Sequence, residues 1–412
     1  MTLVGERFTV DVGPVAHGGH CVARHDGRVV FVRHALPGER VVATVTEGED
    51  DSRFLRADAT EVLQAAPGRV KPRCPVSGPG GCGGCDFQHV DLPTQRELLG
   101  AVVAEQLQRL AGLDVDVRVE APDDGDGLGW RTRVGYAVGD GDRLGLRRHR
   151  SHDVLPVDPC PIAHPALADL TSLPWPAVRV EGVVSSTGER LAVVEGARGE
   201  LPPVPLDGVV DERGRHVSGA SQVVEQVRHR SFTVGGSGFW QVHPRAAGVL
   251  VDAVMDAARP EPGQTVADLY AGVGLFAAFL AEAVGESGLV VAVESGRRAT
   301  EDAAANLADL PQAVVAHAGV QPAMDHGTVP PEVDVVVLDP PRTGAKAKVV
   351  RAIASRRPER VVYVACDPAA LARDVATFAE EGYVLDALRA FALFPMTHHV
   401  ECVATLVPAP AE

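Results

Sequence analysis

The sequence predicts an α/β protein in three parts: a small β-barrel, a mixed central region and a doubly wound, mostly parallel sheet. Three observations carry this. The last third alternates buried-strand runs with helical segments, the pattern of a parallel sheet covered on both faces. The first part holds five short strand runs broken by Gly-rich turns. At 412 residues the chain is too long for one ordinary domain.

The barrel is expected over residues 1–64, from "RFTVDV", "HCVARH", "RVVFVRH", "ERVVATVTE" and "FLRADATEVLQ". Such barrels often bind oligonucleotides, but fold alone does not assign function. A Pro/Gly-rich, Cys-bearing segment follows at 66–90, "APGRVKPRCPVSGPGGCGGCDFQHV". Over 92–112, apolar Leu98, Leu99, Val102, Val103, Leu107 and Leu110 fall at helical spacing. From about 117 to 235 the pattern is rich in strands and glycine ("RTRVGYAV", "RLGLRR", "HDVLPV", "GVVSST", "RLAVVEG", "SFTVGG"). The last third has strand runs "QTVADLY", "GLVVAVE", "VDVVVLD", "RVVYVAC" and "ECVATLVP". Helical "AAGVLVDAVMDAAR" and "RATEDAAANLADL" lie before and between them. The C-terminal "PAPAE" reads as a short disordered tail. The resulting division is 1–64, 65–91 with 117–238, and 92–116 with 239–412.

With 45% hydrophobic and 23% charged residues the composition is globular. No apolar run is long enough to span a membrane. "MTLVGERFTV" has neither the basic nor the apolar region of a signal peptide. The cytoplasm is the expected compartment, where the 7 cysteines should be reduced, metal-bound or catalytic. The net charge of -16 argues mildly against a nucleic-acid partner. Local basic clusters at 142–152 ("DRLGLRRHRSH") and 68–73 ("GRVKPR") run the other way, and the bland reading of each is a solvated surface.

In a doubly wound sheet, ligands bind at the carboxyl ends of the strands. "VADLYAGVGLF" (266–276) is strand, Asp268, a Gly turn and helix; Gly272 and Gly274 let backbone approach a ligand closely. Glu294 ends the next strand, where an acid commonly bonds a ribose diol. The third glycine of the dinucleotide fingerprint is missing, so the loop is not built for a pyrophosphate. These features favour S-adenosylmethionine over NAD, ATP or FAD. "VVVLDPPRTGA" (335–345) puts Asp339 at the mouth of the same crevice.

Cys366 ends the strand run "RVVYVAC". A buried cysteine is usually inert filler, but this one precedes Asp367-Pro368 and a helix start. A helix N-terminus lowers a thiol pKa, whereas Asp367 should raise it. Glu401 precedes the terminal strand, beside His398 and His399. A thiolate plus a carboxylate base suits methylation at carbon. Cys74, Cys82, Cys85 and Cys160 form a further set, with the spacing C-x7-C-x2-C and a distant fourth. Four cysteines can hold zinc or an iron–sulfur cluster.

In order along the chain stand "FWQVH" (Gln241), "DLYAGVG" (Asp268, Tyr270), "VES" (Glu294), "LDPPR" (Asp339, Arg342), "ACDP" (Cys366) and "HHVE" (Glu401). This ordered set resembles the RNA uracil-5-methyltransferases, which make 5-methyluridine in transfer or ribosomal RNA, and the resemblance covers essentially the whole chain. It implies a Rossmann-like domain that uses S-adenosylmethionine. It also implies an N-terminal TRAM-like RNA-binding barrel and a covalent mechanism. Cys366 would add to uracil C6, and Glu401 would remove the C5 proton. Gln241, Tyr270, Gly272, Gly274, Glu294 and Asp339 would hold the cofactor. In the ribosomal-RNA branch of the family, the four cysteine positions carry a [4Fe–4S] cluster. The resemblance therefore favours that cluster, with zinc as runner-up, and ribosomal over transfer RNA as partner. A monomer is expected.

Three positions depart from the family pattern. Leu275 stands where many relatives have Asn. "AHAGV" (316–320) lacks the acid or amide expected at the adenine. Asp367 replaces the commoner Asn. Two alternatives differ in class. An RNA-binding iron–sulfur protein with a silent methyltransferase domain would not need to keep both Cys366 and Glu401. A DNA cytosine-5 methyltransferase would normally carry its catalytic cysteine as Pro-Cys, whereas Cys366 follows Ala365.

Overall fold

A computed structural model describes residues 1–410 except 124, 158 and 204. Residues 411 and 412, half of the expected tail's last four, lie outside the described residues. The tail's first part is not loose, because the Ala409 N–H donates to the Gly382 carbonyl at 2.8 Å. Among the described residues no helix is long and apolar enough to cross a membrane.

Five strands form the N-terminal sheet, in the order Arg7–Asp11, Arg40–Glu47, Phe54–Gln64, Arg28–Arg33, Cys21–His25. They match the five runs read from sequence. Alternation of β-branched residues sends Val30, Val32, Val41, Ala43, Val45 and Ala57 inward, all nearly or fully buried. The sheet curls closed where Gly13 N–H donates to Val22 O (2.7 Å) and Val22 N–H to Pro14 O (2.8 Å).

The central region is a seven-stranded, mainly antiparallel sheet. Arg133–Val138 and Arg179–Val184 lie near its middle. A separate hairpin, Gln222–Val227 with Arg230–Gly235, follows. The Cys-bearing segment has little regular structure of its own. It lies against the loop before Glu401: the amides of Asp86 and Phe87 both donate to Met396 O at 2.9 Å, and from the following helix Gln95 Oε1 accepts from Met396 N at 2.9 Å.

The C-terminal sheet has eight strands. Ala313–His317, Leu289–Glu294, Thr265–Leu269, Val335–Leu338 and Arg360–Ala365 run parallel in that order. Glu401–Pro408 and Tyr383–Phe391 then add antiparallel, and Val119–Glu120 closes the edge. The runs VVVL (335–338) and VVYVA (361–365) are buried throughout, as strands covered on both faces must be. The helix Leu92–Ala111, read from its apolar spacing, is N-capped by Asp91 and packs on the helix Pro368–Glu380. Sequence periodicity did not single out 313–317 or 383–391. Both carry exposed positions that interrupt the apolar run, and 383–391 also breaks register between Leu385 and Ala387.

Candidate active site

The carboxyl ends of four parallel strands and the amino end of their antiparallel neighbour assemble the site. Cys366 follows Arg360–Ala365, and Glu401 opens the antiparallel partner Glu401–Pro408. The last register pair between them is Ala365 with Cys402, so Cys366 and Glu401 sit one step past the ladder, facing each other across it. Asp339 follows the adjacent parallel strand, whose Leu338 pairs with Tyr363. Asp268 lies in the next strand and Glu294 ends the one after.

These acids feel one another. Asp268 is fully buried, and its carboxyl is pushed up to about 8 by burial, with Asp339 and Glu294 adding. Burial pushes Asp339 up to about 7. Glu401 is 3% exposed; burial and the Asp339 charge raise it well above the carboxylate range, against an opposing pull from Arg342. Burial is the largest cause on the Cys366 thiol too, followed by Glu401 and Asp339. Together they push it up to about 12, with Arg342 opposing.

This corrects the expected lowering of Cys366 by the helix N-terminus. Desolvation and two carboxylates outweigh the terminus, whose field is worth about 0.3–1 kcal/mol. Asp367 is also not the opponent it looked in sequence. One of its oxygens N-caps the following helix by accepting from Ala370 N at 2.7 Å, and the other accepts from His17 Nε2 at 3.0 Å. Its carboxyl is held below its ordinary value by His17 and the cap, although burial opposes them.

The loop at 270–274 has the open geometry its glycines suggested. Tyr270 (φ 63°), Gly272 (φ 56°) and Gly274 (φ 87°) all have left-handed backbone. A Cβ on Gly272 would meet nothing within 4 Å, so space stands beside this backbone. Gly274 instead fits against Leu307, which a Cβ would approach to 3.1 Å. Glu294 accepts from Gly272 N (3.0 Å) and Gly296 N (2.5 Å), and Asp268 from Ala277 N (2.8 Å). Both acids therefore hold the loop. Among the described residues, the buried Asp268 Oδ1 has no hydrogen-bond partner. Leu275 is buried at the helix start. Tyr270 is half-buried, with its phenol raised to about 12 by burial and Asp374. Gln241 is buried in the segment between the hairpin and the helix Ala246–Ala258.

Sequence reading quoted Arg342 but gave it no role. Here it is the cation acting on Cys366, Glu401 and His399. A basic residue directly after Asp-Pro-Pro at a strand mouth was the available signal.

The four cysteines line a second cavity of 530 Å³, which also borders Gly18, His20, Arg33, Arg131, His149, His398 and His399. Burial raises the thiols of Cys82, Cys85 and Cys160. N–H groups already point at sulfur, with Gly84 N donating to Cys82 Sγ at 3.3 Å and Gln88 Nε2 to Cys85 Sγ at 3.7 Å. Among the described residues no three Cys, His, Asp or Glu side chains are gathered to hold a metal ion. The donor set, four thiols around one cavity with N–H groups turned to sulfur, fits the ligation of a multi-iron cluster.

The basic clusters are partly absorbed. Arg69 pairs with the buried Glu39, Arg73 with Asp126 (2.6 Å), and Arg150 with Glu47 of the barrel. On the barrel face, Arg56 lies over Phe31 and Phe54 at 5.6 Å from each ring, and Phe54 is 43% exposed.

Residues 2–60 match the TRAM domain family and residues 331–408 the tRNA (Uracil-5-)-methyltransferase family. The chain is 49% identical to an uncharacterized RNA methyltransferase of Streptomyces avermitilis, over 98% of this chain and 99% of that one. It is 40% identical to another from Bifidobacterium longum, over 94% of each. The fold is similar to that of the Pyrococcus abyssi tRNA (uracil-54, C5)-methyltransferase solved with S-adenosyl-L-homocysteine. That likeness has a TM-score of 0.73 at 23% identity, over 96% of this chain and 99% of that one. An N-terminal TRAM domain, a Rossmann-like sheet with its acids at the strand ends, and relatives matched nearly end to end agree: the chain belongs to the RNA (uracil-5-)-methyltransferases and is an enzyme that uses S-adenosylmethionine.

Proposed function

We propose that the protein methylates C5 of a uridine in ribosomal RNA through a covalent Cys366 adduct. The observation that carries this reading is the placement of Cys366 and Glu401 face to face, one step past a shared ladder. When bound, S-adenosylmethionine would supply the methyl as an electrophile, its sulfonium S–CH3 bond breaking to leave the neutral thioether S-adenosylhomocysteine. The Cys366 thiolate adds to C6, forming the S–C6 bond and moving the C5=C6 electron pair to C5 and the O4 enolate. C5 takes the methyl. Glu401 then accepts the C5 proton, the C5=C6 bond re-forms, and the S–C6 bond breaks to release the thiolate. Since C6 of a stacked base is out of reach, the uridine is flipped into the crevice. The cofactor would be held by Gln241, Tyr270, Gly272, Gly274, Glu294 and Asp339, and the carboxyls of Asp339 and of the buried Asp268 would supply negative charge to balance its sulfonium.

Thiol chemistry supports this assignment only if the thiolate can form. The free site opposes it, with Cys366 near 12. A sulfonium beside Asp339 neutralises the charges that hold the proton on sulfur, so cofactor binding itself lowers the thiol pKa.

Cys74, Cys82, Cys85 and Cys160 are proposed to hold a [4Fe–4S] cluster as a structural or RNA-supporting element. The same cysteines support ribosomal RNA as substrate, through the resemblance to that branch. Transfer RNA is the second reading, favoured by the description of the matched family. Nucleoside mass spectrometry of ribosomal and transfer RNA, with and without the gene, tests both. Loss of 5-methyluridine from ribosomal RNA is expected. Loss confined to transfer RNA selects the second reading, and no loss from either refutes the reaction.

A further inference from the structure

The loop 13–20 of the barrel touches a sequence neighbour of each member of the catalytic pair, Asp367 beside Cys366 and His398 near Glu401. His17 Nε2 donates to Asp367 Oδ2 at 3.0 Å, and Asp367 directly follows Cys366. Two residues on, Gly19 has φ 79°, and a Cβ there would lie 2.7 Å from His398 Cβ and 3.3 Å from Asp86 Cβ. His398 stands three residues before Glu401, and its amide and ring Nδ1 approach Asp86 Oδ2 at 3.3 and 2.6 Å. The loop is itself a tight turn, closed by Ala16 N to His20 O (2.7 Å) and Gly19 N to Ala16 O (3.1 Å). It is therefore a short, stiff tip of the RNA-binding module, wedged between the turn that carries the nucleophile and the loop that carries the base.

We propose that this barrel tip is a positioning element for methyl transfer, in which His17 latches the Cys366 turn through Asp367 while Gly19 sets the approach of the loop leading to Glu401. The inference rests on the roles given above to Cys366 and Glu401. It adds that the TRAM domain does more than bind RNA: displacement of the barrel moves both reacting side chains. The latch is an ion pair between half-exposed groups, so its energy is small, but position rather than stability is at stake. A misplacement of about 1 Å far from the chemistry can cost about 100-fold in rate.

Three charged groups face His17: Asp367, Glu105 from the helix 92–111, and Arg373 from the helix 368–380. The Asp367 hydrogen bond and the two carboxylates outweigh burial and Arg373, and hold the imidazole pKa above its ordinary 6.5. The latch is complete below that ordinary value and opens as pH rises through the raised one.

The test compares His17→Ala and His17→Gln with the parent enzyme. The amide of His17→Gln can still donate to Asp367 but does not titrate. For His17→Ala, kcat is expected to fall about 10-fold or more, with the Kd for RNA by filter binding unchanged within about twofold. His17→Gln is expected to recover most of the rate and to lack the alkaline fall in kcat that opening of the latch gives the parent. A second readout needs no RNA: iodoacetamide should alkylate Cys366 several-fold faster in His17→Ala, because the freed turn exposes a half-buried thiol. Unchanged kcat and alkylation in His17→Ala, or a rate loss matched by an equal loss of RNA affinity, overturns the latch. If the parent enzyme makes no 5-methyluridine, the proposed reaction fails, and the alkylation rates alone decide the latch.

Discussion

Two enclosed regions lie within one molecule and are charged in opposite senses. The crevice at the strand ends collects Asp268, Asp339, Glu294 and Glu401; burial, with Asp339 and Glu294 adding, pushes Asp268 to about 8, and burial pushes Asp339 to about 7. The cavity around the cysteines collects Arg33, Arg131, His20, His149 and His399 with the carboxylate of Asp86, which Arg33 meets at 3.6 Å, and there burial and neighbouring cations push all three histidines down to about 4. Burial is the common cause, and it acts against whichever charge is present. The acidic crevice is built to gain a cation, which a sulfonium provides. The basic cavity is built to gain negative charge, which metal-bound thiolates or an RNA phosphate provide. A net charge of -16 conceals both.

Replacing the nucleophile should break this division most severely: Cys366→Ala is expected to abolish methyl transfer while RNA binding survives, measured by labelled-methyl incorporation and filter binding. Glu401→Gln should lower turnover by about 100- to 10,000-fold and leave enzyme and RNA linked, visible as a retarded band on a denaturing gel. The charge logic of the crevice is sharpened by comparing two ligands that differ in one charge. Asp339→Asn should weaken S-adenosylmethionine about 10-fold or more and S-adenosylhomocysteine far less, by calorimetry. The parent enzyme should show the same discrimination against pH. Asp339 is neutral below about 7, so preference for the charged ligand should fall as pH drops through that value. Equal effects on the two ligands would separate Asp339 from the sulfonium. On the cavity side, anaerobically purified protein should contain iron and sulfide in cluster stoichiometry. Stoichiometric zinc would refute the cluster.

The parallel sheet was legible because VVVL and VVYVA are continuous β-branched runs ending in an acid or a thiol. The barrel was legible because its turns are marked by glycine. What could not be read was electrostatic. Sequence placed Cys366 at a helix N-terminus and Asp367 beside it, and both guesses about the thiol pKa followed from adjacency along the chain. In space Asp367 turns away to cap the helix and meet His17, while Glu401 and Asp339, distant in sequence, face the sulfur. Arg342 was missed for the same reason. The gathering of four cysteines around one cavity was visible from composition and spacing, but their histidine and arginine surroundings come from five separate segments.

In the proposed reaction Cys366 and Glu401 act on the same uracil, one before and one after methyl transfer. The most direct measurement is mass spectrometry of the linked species formed by Glu401→Gln with RNA and S-adenosylmethionine. The expected product is a Cys366-containing peptide joined to a uridine that carries one added methyl. A linkage at any other residue, a linkage that survives Cys366→Ala, or the absence of linkage while 5-methyluridine still forms would contradict it.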